Sequence, residues 1–261
     1  MSDDFVRFEK RGHVAWVTLN RPEVMNALHP PCHDRLDAIW DEFAADPDLW
    51  VAILTGAGER AFCAGNDLKW TAQNQNRMPP MPRGGFAGLA TRFDLVKPVI
   101  AAVNGLALGG GFEVVLACDI VVAAEHAQFG LPEPRVGLAA LGGGALQRLA
   151  RTLPMKEAMG LVLTARRMGA AEAQRIGLVN DVVPMAELAA RTRALVDELL
   201  ACAPLALEAS KQVMMQSLDE PGLEAAMNRR YPAAERMLAS EDAKEGPRAF
   251  AEKRKPRWQG R

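Results

Sequence analysis

The sequence predicts an α/β fold that ends in a helical region, and two patterns point to it. Up to about residue 183, short apolar runs suited to buried strands alternate with segments of helical period; beyond Pro184 only helical blocks follow. At 261 residues the chain is long enough for one large domain with a small appendage.

The elements follow in order. Phe5 to Glu9 and His13 to Leu19 flank Arg11-Gly12 as the arms of a hairpin, which Asn20-Arg21-Pro22 ends. From His33 to Phe43 the residues Leu36, Ile39, Trp40 and Phe43 share one helical face; Asp46-Pro47 stops this helix. Val51 to Thr55 reads as a strand covered on both faces and closed by the turn Gly56-Ala57-Gly58. Thr71 to Gly88, rich in Pro, Asn, Gln and Met, reads as a mobile excursion leading into a helix from about Phe86 to Leu95. Its Met78 and Met81 suit either an adaptable pocket wall or an ordinary surface loop. Val99 to Val103 and Ile120 to Ala124 are further strands, separated by a helix over Phe112 to Cys118 that leaves the cluster Gly109-Gly110-Gly111. Gly143 to Ala165 turns helical, Ala170 to Arg175 is a short helix closed by Gly177, and Leu178 to Val183 is the last strand. Leu188 to Cys202, Leu205 to Ser217 and Leu223 to Leu238 are helical blocks punctuated by proline. The expected division is an α/β core over residues 1–195 and a C-terminal helical region over 196–261, whose apolar stripes need a surface to pack against.

Composition narrows the function. Hydrophobic residues make up 49% and charged residues 24%, which excludes extended disorder. With 31 Lys and Arg against 32 Asp and Glu, the chain lacks the positive excess that nucleic acid binding needs, and the basic cluster Lys244 to Arg261 is offset by Glu241, Asp242, Glu245 and Glu252. Cys32, Cys63, Cys118 and Cys202 form no CxxC pair, and Cys63, between Phe62 and Ala64, reads as a small buried hydrophobe. His13, His29, His33 and His126 have no metal-binding spacing, so no metal is expected. There is no Gly-x-Ser-x-Gly elbow. The polar segment Met1 to Lys10 offers no secretory or transit signal, and no apolar run reaches the roughly 18 residues of a membrane span. A cytoplasmic location, away from membranes, is the expectation.

Three features carry chemistry. Gly105 to Glu113 contains three successive glycines where a strand opens into a helix, so its amides are uncovered and suit an anion or oxyanion; a close approach of strand and helix is the alternative. Glu113 sits within an apolar segment, where burial moves a carboxyl toward the range of a general acid or base. Glu133, between Pro132 and Pro134, follows the next strand and is able to face the same pocket. Both glutamates are either catalytic, or one is paired to Arg135 or Arg148.

Leu19 to Pro22 with Asn26-Ala27-Leu28, Ala61 to Leu68, Lys97 to Gly105, Gly109 to Asp119, Pro132-Glu133 through Gly137, and the late Gly169 to Ala173 with Gly177 to Asn180 together resemble the crotonase, or enoyl-CoA hydratase/isomerase, family. The similarity runs in order from about residue 5 to the end. Gly84 to Leu89 and Glu245 to Arg254 resemble, more narrowly, the carnitinyl-CoA dehydratase (crotonobetainyl-CoA hydratase) branch. The resemblance implies a right-handed coil of β-β-α repeats with C-terminal helices that complete the site, in a homotrimer or dimer of trimers. It implies a hydro-lyase that adds water reversibly and syn to a 2-enoyl-CoA, isomerase, hydrolase or non-catalytic thioester binding being the alternatives on the same fold. The backbone amides of Asn66 and Gly110 would form an oxyanion hole, with Glu113 and Glu133 as the paired acids. It implies coenzyme A as the carrier of the substrate, with no tightly bound cofactor. Its adenine would lie near Ala64, Asp67 and Leu68, and Arg21, Phe250 and Lys253 are the candidates for further coenzyme contacts. Leu141 stands where many relatives carry an acid, which favours an apolar acyl surface.

Overall fold

Three strands of a larger sheet each hand the chain to a short strand of a smaller one, and this alternation positions the site. The computed structural model describes residues 4–74 and 79–261. In chain order its strands are β1 (Val6–Arg11), β2 (Val14–Leu19), β3 (Val51–Gly56), β4 (Ala61–Cys63), β5 (Val99–Val103), β6 (Leu106–Leu108), β7 (Ile120–Ala124), β8 (Gln128–Gly130), β9 (Arg167–Gly169) and β10 (Asp181–Val183). The larger sheet has the order β1-β2-β3-β5-β7-β10 and the smaller β4-β6-β8-β9. β1 and β2 form the antiparallel hairpin, turning at Gly12; from β2 to β10 the larger sheet is parallel. The pairs β3/β4, β5/β6 and β7/β8 are the β-β parts of the repeats that the resemblance implied.

The helices are α1 (Pro30–Ala45), α2 (Leu68–Gln73), α3 (Gly110–Ala117), α4 (Ala145–Thr152), α5 (Met155–Thr164), α6 (Ala170–Arg175), α7 (Met185–Leu200), α8 (Pro204–Ser217), α9 (Leu223–Asn228), α10 (Pro232–Leu238) and α11 (Asp242–Ala251). Between the sheets, and under α1 and α3, lies the main core, with Trp40, Phe43, Phe62, Phe112 and Phe129 fully buried. Each such side chain contributes about 1.5–3 kcal/mol of burial free energy. On the other face of the larger sheet, Val51, Ile53, Ile100 and Val122 meet Leu188, Leu195 and Val196 of α7. The expected division at residue 195 therefore falls inside α7, a helix packed on the sheet. Trp258, partly buried, packs against this second cluster and donates to the Ala201 carbonyl at 2.8 Å, which ties the end of the chain to the sheet. Among the described residues no helix is long and apolar enough to cross a membrane.

Three expectations are corrected. Phe86 to Leu95 is not a helix: only a single 3-10 turn, Phe86–Gly88, forms, because Ala87 and Gly88 take left-handed backbone at φ 56° and 61°. Ala87 is held there by α1: its N–H donates to His33 Nδ1 and its carbonyl accepts from Trp40 Nε1, both at 3.0 Å. The last strand is shorter than expected, since Asn180 spends its side chain and its own N–H on the backbone of Val121 before β10 begins. The expected block Leu223 to Leu238 is two helices, broken before Pro232, whose ring cannot continue the preceding helix. Met78, in the excursion, lies outside the described residues; Met81 is exposed.

Candidate active site

β4 and α3 bring two free amides together. After β4 the chain turns at Gly65, whose φ of 93° suits glycine. A side chain there would come within 3.0 Å of the Leu108 carbonyl and 3.2 Å of the Gly110 amide nitrogen. Leu28 fixes the next residue on both sides: its N–H donates to the Gly65 carbonyl and its carbonyl accepts from Asp67 N–H, each at 2.8 Å. The Asn66 N–H between them is left over, and Gly110 begins α3, so its N–H has no partner in the helix. Neither amide donates to a described residue. The site also explains the glycine run. A β-carbon on Gly110 would lie 2.3 Å from the Phe86 ring, and one on Gly111 2.0 Å from the Cys63 carbonyl. The cluster is therefore a close approach of strand and helix, and it also presents a bare amide.

The two glutamates reach this place in different states. Glu113, on the first turn of α3, is 3% exposed, and its Oε1 accepts the Ala145 N–H at the start of α4 at 3.2 Å. Glu133, on the 3-10 turn Glu133–Val136, is half-buried and fills space that a side chain at Gly109 would take, 2.8 Å from its Oε1. Its Oε2 is buried without a hydrogen-bond partner among the described residues. Burial above all raises the Glu133 pKa; its own backbone N–H opposes the rise and the charge of Glu113 adds to it. The alternative of ion pairing is not what these arginines do. Arg135 donates to the carbonyls of Ala165 and Thr164, and Arg148 to those of Gly143 and Ala90.

The flanking candidates fall into two groups. Ala64 donates its N–H to Met25 at 3.0 Å, and its carbonyl accepts from no described residue. Asp67 caps α2 through the Trp70 N–H at 3.0 Å, and Leu68 begins α2 with an exposed side chain. Arg21 is committed to this segment: it bridges Asp67 Oδ2 at 2.8 Å and the Ala27 carbonyl at 2.6 Å, bracing the loop. Phe250 and Lys253 lie at the end of α11, exposed, and α11 packs on α10. Val136, Leu138 and Leu141, on the loop that runs from Glu133 toward Glu113, expose their apolar side chains. Cys63 is fully buried, as expected of a small hydrophobe. Among the described residues no three His, Cys, Asp or Glu side chains gather to hold a metal ion.

Two contributors were not singled out in the sequence. His33 lies behind the site, its ring tilted by 60° against that of Phe86 with centroids 4.6 Å apart. Burial pushes its pKa down to about 4, with His29 adding to this and the Asn66 side chain opposing it, so the ring is neutral and accepts from Ala87. The other is the Phe86 ring itself, seated against Gly110. A histidine on the apolar face of α1, three residues before Leu36, was the available signal.

Residues 9–261 match the family model described as enoyl-CoA hydratase/isomerase. The chain is similar to the carnitinyl-CoA dehydratase of Escherichia coli K12, 45% identical over 258 residues and 97% of either protein. It is 44% identical over 257 residues to that of Proteus mirabilis, covering 96% of this chain and 97% of the other. Among solved structures, an enoyl-CoA hydratase from Mycobacterium marinum superimposes with a TM-score of 0.91 at 38% identity, over 98% of this chain and 99% of that one. One from Bacillus anthracis gives 0.88 at 34% identity, over 98% and 100%.

Proposed function

The chain belongs to the enoyl-CoA hydratase/isomerase family, and from that premise we propose that it catalyses the reversible syn addition of water across the 2,3 double bond of a 2-enoyl-CoA thioester. The observation that carries the reading is the pair of unlike glutamates, one anchored by an amide and one orphaned, beside the converging amides of Asn66 and Gly110.

The thioester oxygen accepts from both amides, which stabilise the negative charge that develops on it as water attacks; such a donor is worth about 10²–10³ in rate. Electron density leaves C3, and the water oxygen bonds there as Glu113 takes its proton. The proton of Glu133 passes to C2 on the same face. The carboxylates end with their protonation exchanged and re-equilibrate with solvent, so the pair titrates as a unit. In dehydration Glu133 removes the C2 proton and Glu113 assists the departing hydroxide, by reversibility. A purely isomerising site needs only the acid at 133, so the presence of Glu113 favours hydration and dehydration.

Coenzyme A binding rests on the backbone at Ala64, Asp67 and Leu68, with Arg21 holding that segment, and on Phe250 and Lys253 as contacts from the C-terminal region. No tightly bound cofactor, metal or nucleic acid enters the reaction. The exposed apolar side chains of α8 to α10, among them Met214, Leu223 and Leu238, support assembly into a homotrimer or dimer of trimers. The C-terminal helical region, 196–261, is then the part that makes those contacts, and the cytoplasm is the place of action. The apolar loop at Val136, Leu138 and Leu141 favours an uncharged acyl group, because a trimethylammonium head needs an aromatic cage or negative charge.

The test is loss of the conjugated enoyl-thioester absorbance over a panel from crotonyl-CoA to longer and aryl enoyl-CoAs and crotonobetainyl-CoA, with product mass measured. Gain of one water, with higher kcat/KM for uncharged acyl groups, is expected. A silent panel in the presence of thioester binding would remove hydration, and preference for crotonobetainyl-CoA would remove the apolar acyl reading.

A further inference from the structure

Arg148 is a half-buried cation that forms no salt bridge with any described residue. It stands on the first turn of α4, the helix whose first N–H holds Glu113. One guanidinium nitrogen, Nη1, donates to the Gly143 carbonyl and the other, Nη2, to the Ala90 carbonyl, both at 2.8 Å. The two carbonyls belong to separate segments of the site: Ala90 follows the turn that seats Phe86 on Gly110, and Gly143 lies directly on Glu113. A β-carbon on Gly143 would fall 2.6 Å from Glu113 Cβ and 3.0 Å from its Oε2, so any drift of this loop is felt by the carboxylate. The guanidinium also lies over the Phe93 ring, 5.8 Å from its centroid.

Two groups act on the charge of this arginine against its burial. Burial lowers the Arg148 pKa, while Cys118 and Glu113 work against that. Cys118 is itself a buried thiol whose pKa burial pushes up, so it is neutral. Glu113 thus interacts with both Glu133 and Arg148; the remaining elements packed on α3, namely β4, β6 and the Phe86–Gly88 turn, bring no titratable side chain other than the buried thiol of Cys63. Arg151, also on α4, is exposed and turned to the Gln147 carbonyl.

We propose that Arg148 is a positioning residue for hydration, clamping the 143–145 loop over Glu113 by bridging the Gly143 and Ala90 carbonyls. This rests on the two-glutamate reading above. A small reorientation of a reacting group is sufficient to cost about 10²-fold in rate, so a residue that touches no substrate atom is able to control kcat.

The experiment compares Arg148→Met and Arg148→Lys with the wild-type protein, reading kcat for crotonyl-CoA hydration and the affinity for unreactive butyryl-CoA. In Arg148→Met the expected result is a kcat loss of about 10- to 100-fold with butyryl-CoA affinity retained. Arg148→Lys keeps the charge but cannot bridge both carbonyls, so its kcat is reduced as well, again with affinity retained. Wild-type kcat in Arg148→Met, or a loss of butyryl-CoA affinity as large as the loss of kcat, overturns the proposal. Should Arg148→Met fail to fold, Arg148→Lys alone decides: wild-type kcat overturns the clamp, and reduced kcat with affinity retained supports it. Glu113→Gln run alongside separates the two readings. If it retains hydration the two-glutamate reading fails; if it abolishes hydration while Arg148→Met is silent, only the role of Arg148 fails.

Discussion

Around Glu113 the chain buries nearly everything it has, whereas along α8 to α11 it leaves large apolar side chains in the open. Glu113 is 3% exposed in a core that includes Phe62, Phe112 and Phe129, while Leu223 is 76% and Phe250 87% exposed on the C-terminal helices. The first region spends burial on placing a few polar groups: two bare amides, an anchored carboxylate and an orphaned one. The second presents apolar surface that the isolated chain does not cover, the usual mark of an interaction face. The difference teaches that the chemistry is set by the core, and that substitutions in the two regions should fail in different ways.

The largest effect is expected at the carboxylates. Glu113→Gln or Glu133→Gln should lower hydration kcat by about 10²–10⁴-fold, the worth of a general acid or base, with butyryl-CoA affinity kept by the amides. Equal loss of binding would break the comparison, since the site would then be collapsing. Next is Gly110→Ala, whose new methyl meets the Phe86 ring at 2.3 Å. It should cost about 1–3 kcal/mol of stability as an overpacked contact, measured by denaturant unfolding, and lower kcat as well.

His33 gives a pH signature of about the same size. Its folded-state pKa, about 4, lies below the ordinary 6.5, so the unfolded chain binds the proton more readily. Stability contributed by the neutral ring is complete above 6.5 and is lost as pH falls toward 4, by about 3 kcal/mol for a fall of that width. Unfolding free energy of His33→Asn, which keeps an acceptor for Ala87, should lack this part of the slope. Glu133 has the opposite sign. Its raised pKa means that the folded state holds the proton longer, so stability falls as pH rises from the ordinary glutamate range through the raised value. Thermal melting should show Glu133→Gln stabilised at neutral pH and indistinguishable from wild type in acid.

The smallest effect on folding is expected in the tail. Leu223→Ser with Met227→Ser should change unfolding free energy by no more than about 0.5 kcal/mol per site, as for exposed positions. Sedimentation should instead show weakened assembly. Unchanged assembly would sharpen the comparison by confining the interface to other surfaces.

Much of this was legible in the sequence, unevenly. The strands of the larger sheet were, because Val51 to Thr55 and Val99 to Val103 are long enough to show a covered apolar run. The smaller sheet was not: β4, β6, β8 and β9 have three residues each, too few for any period, and tertiary pairing alone makes them strands. Glu113 and Glu133 were visible as carboxyls out of keeping with their surroundings. The amide of Asn66 was reached by family resemblance alone, since no side-chain pattern marks a free backbone N–H. His33 and Arg148 were hidden by ordinary positions on helices, and what they do depends on carbonyls and amides far away in the chain. The Phe86–Gly88 turn misled because its left-handed Ala87 is imposed by α1 and not by local preference.

The central claim is the division of labour between the glutamates, and proton exchange at C2 tests it most directly. Saturated butyryl-CoA has no double bond to hydrate, so in deuterium oxide its exchange needs only the two amides and the base at C2. Mass spectrometry should find exchange with the wild type and Glu113→Gln, and none with Glu133→Gln. Exchange that survives in Glu133→Gln, or is lost in Glu113→Gln, would contradict the assignment.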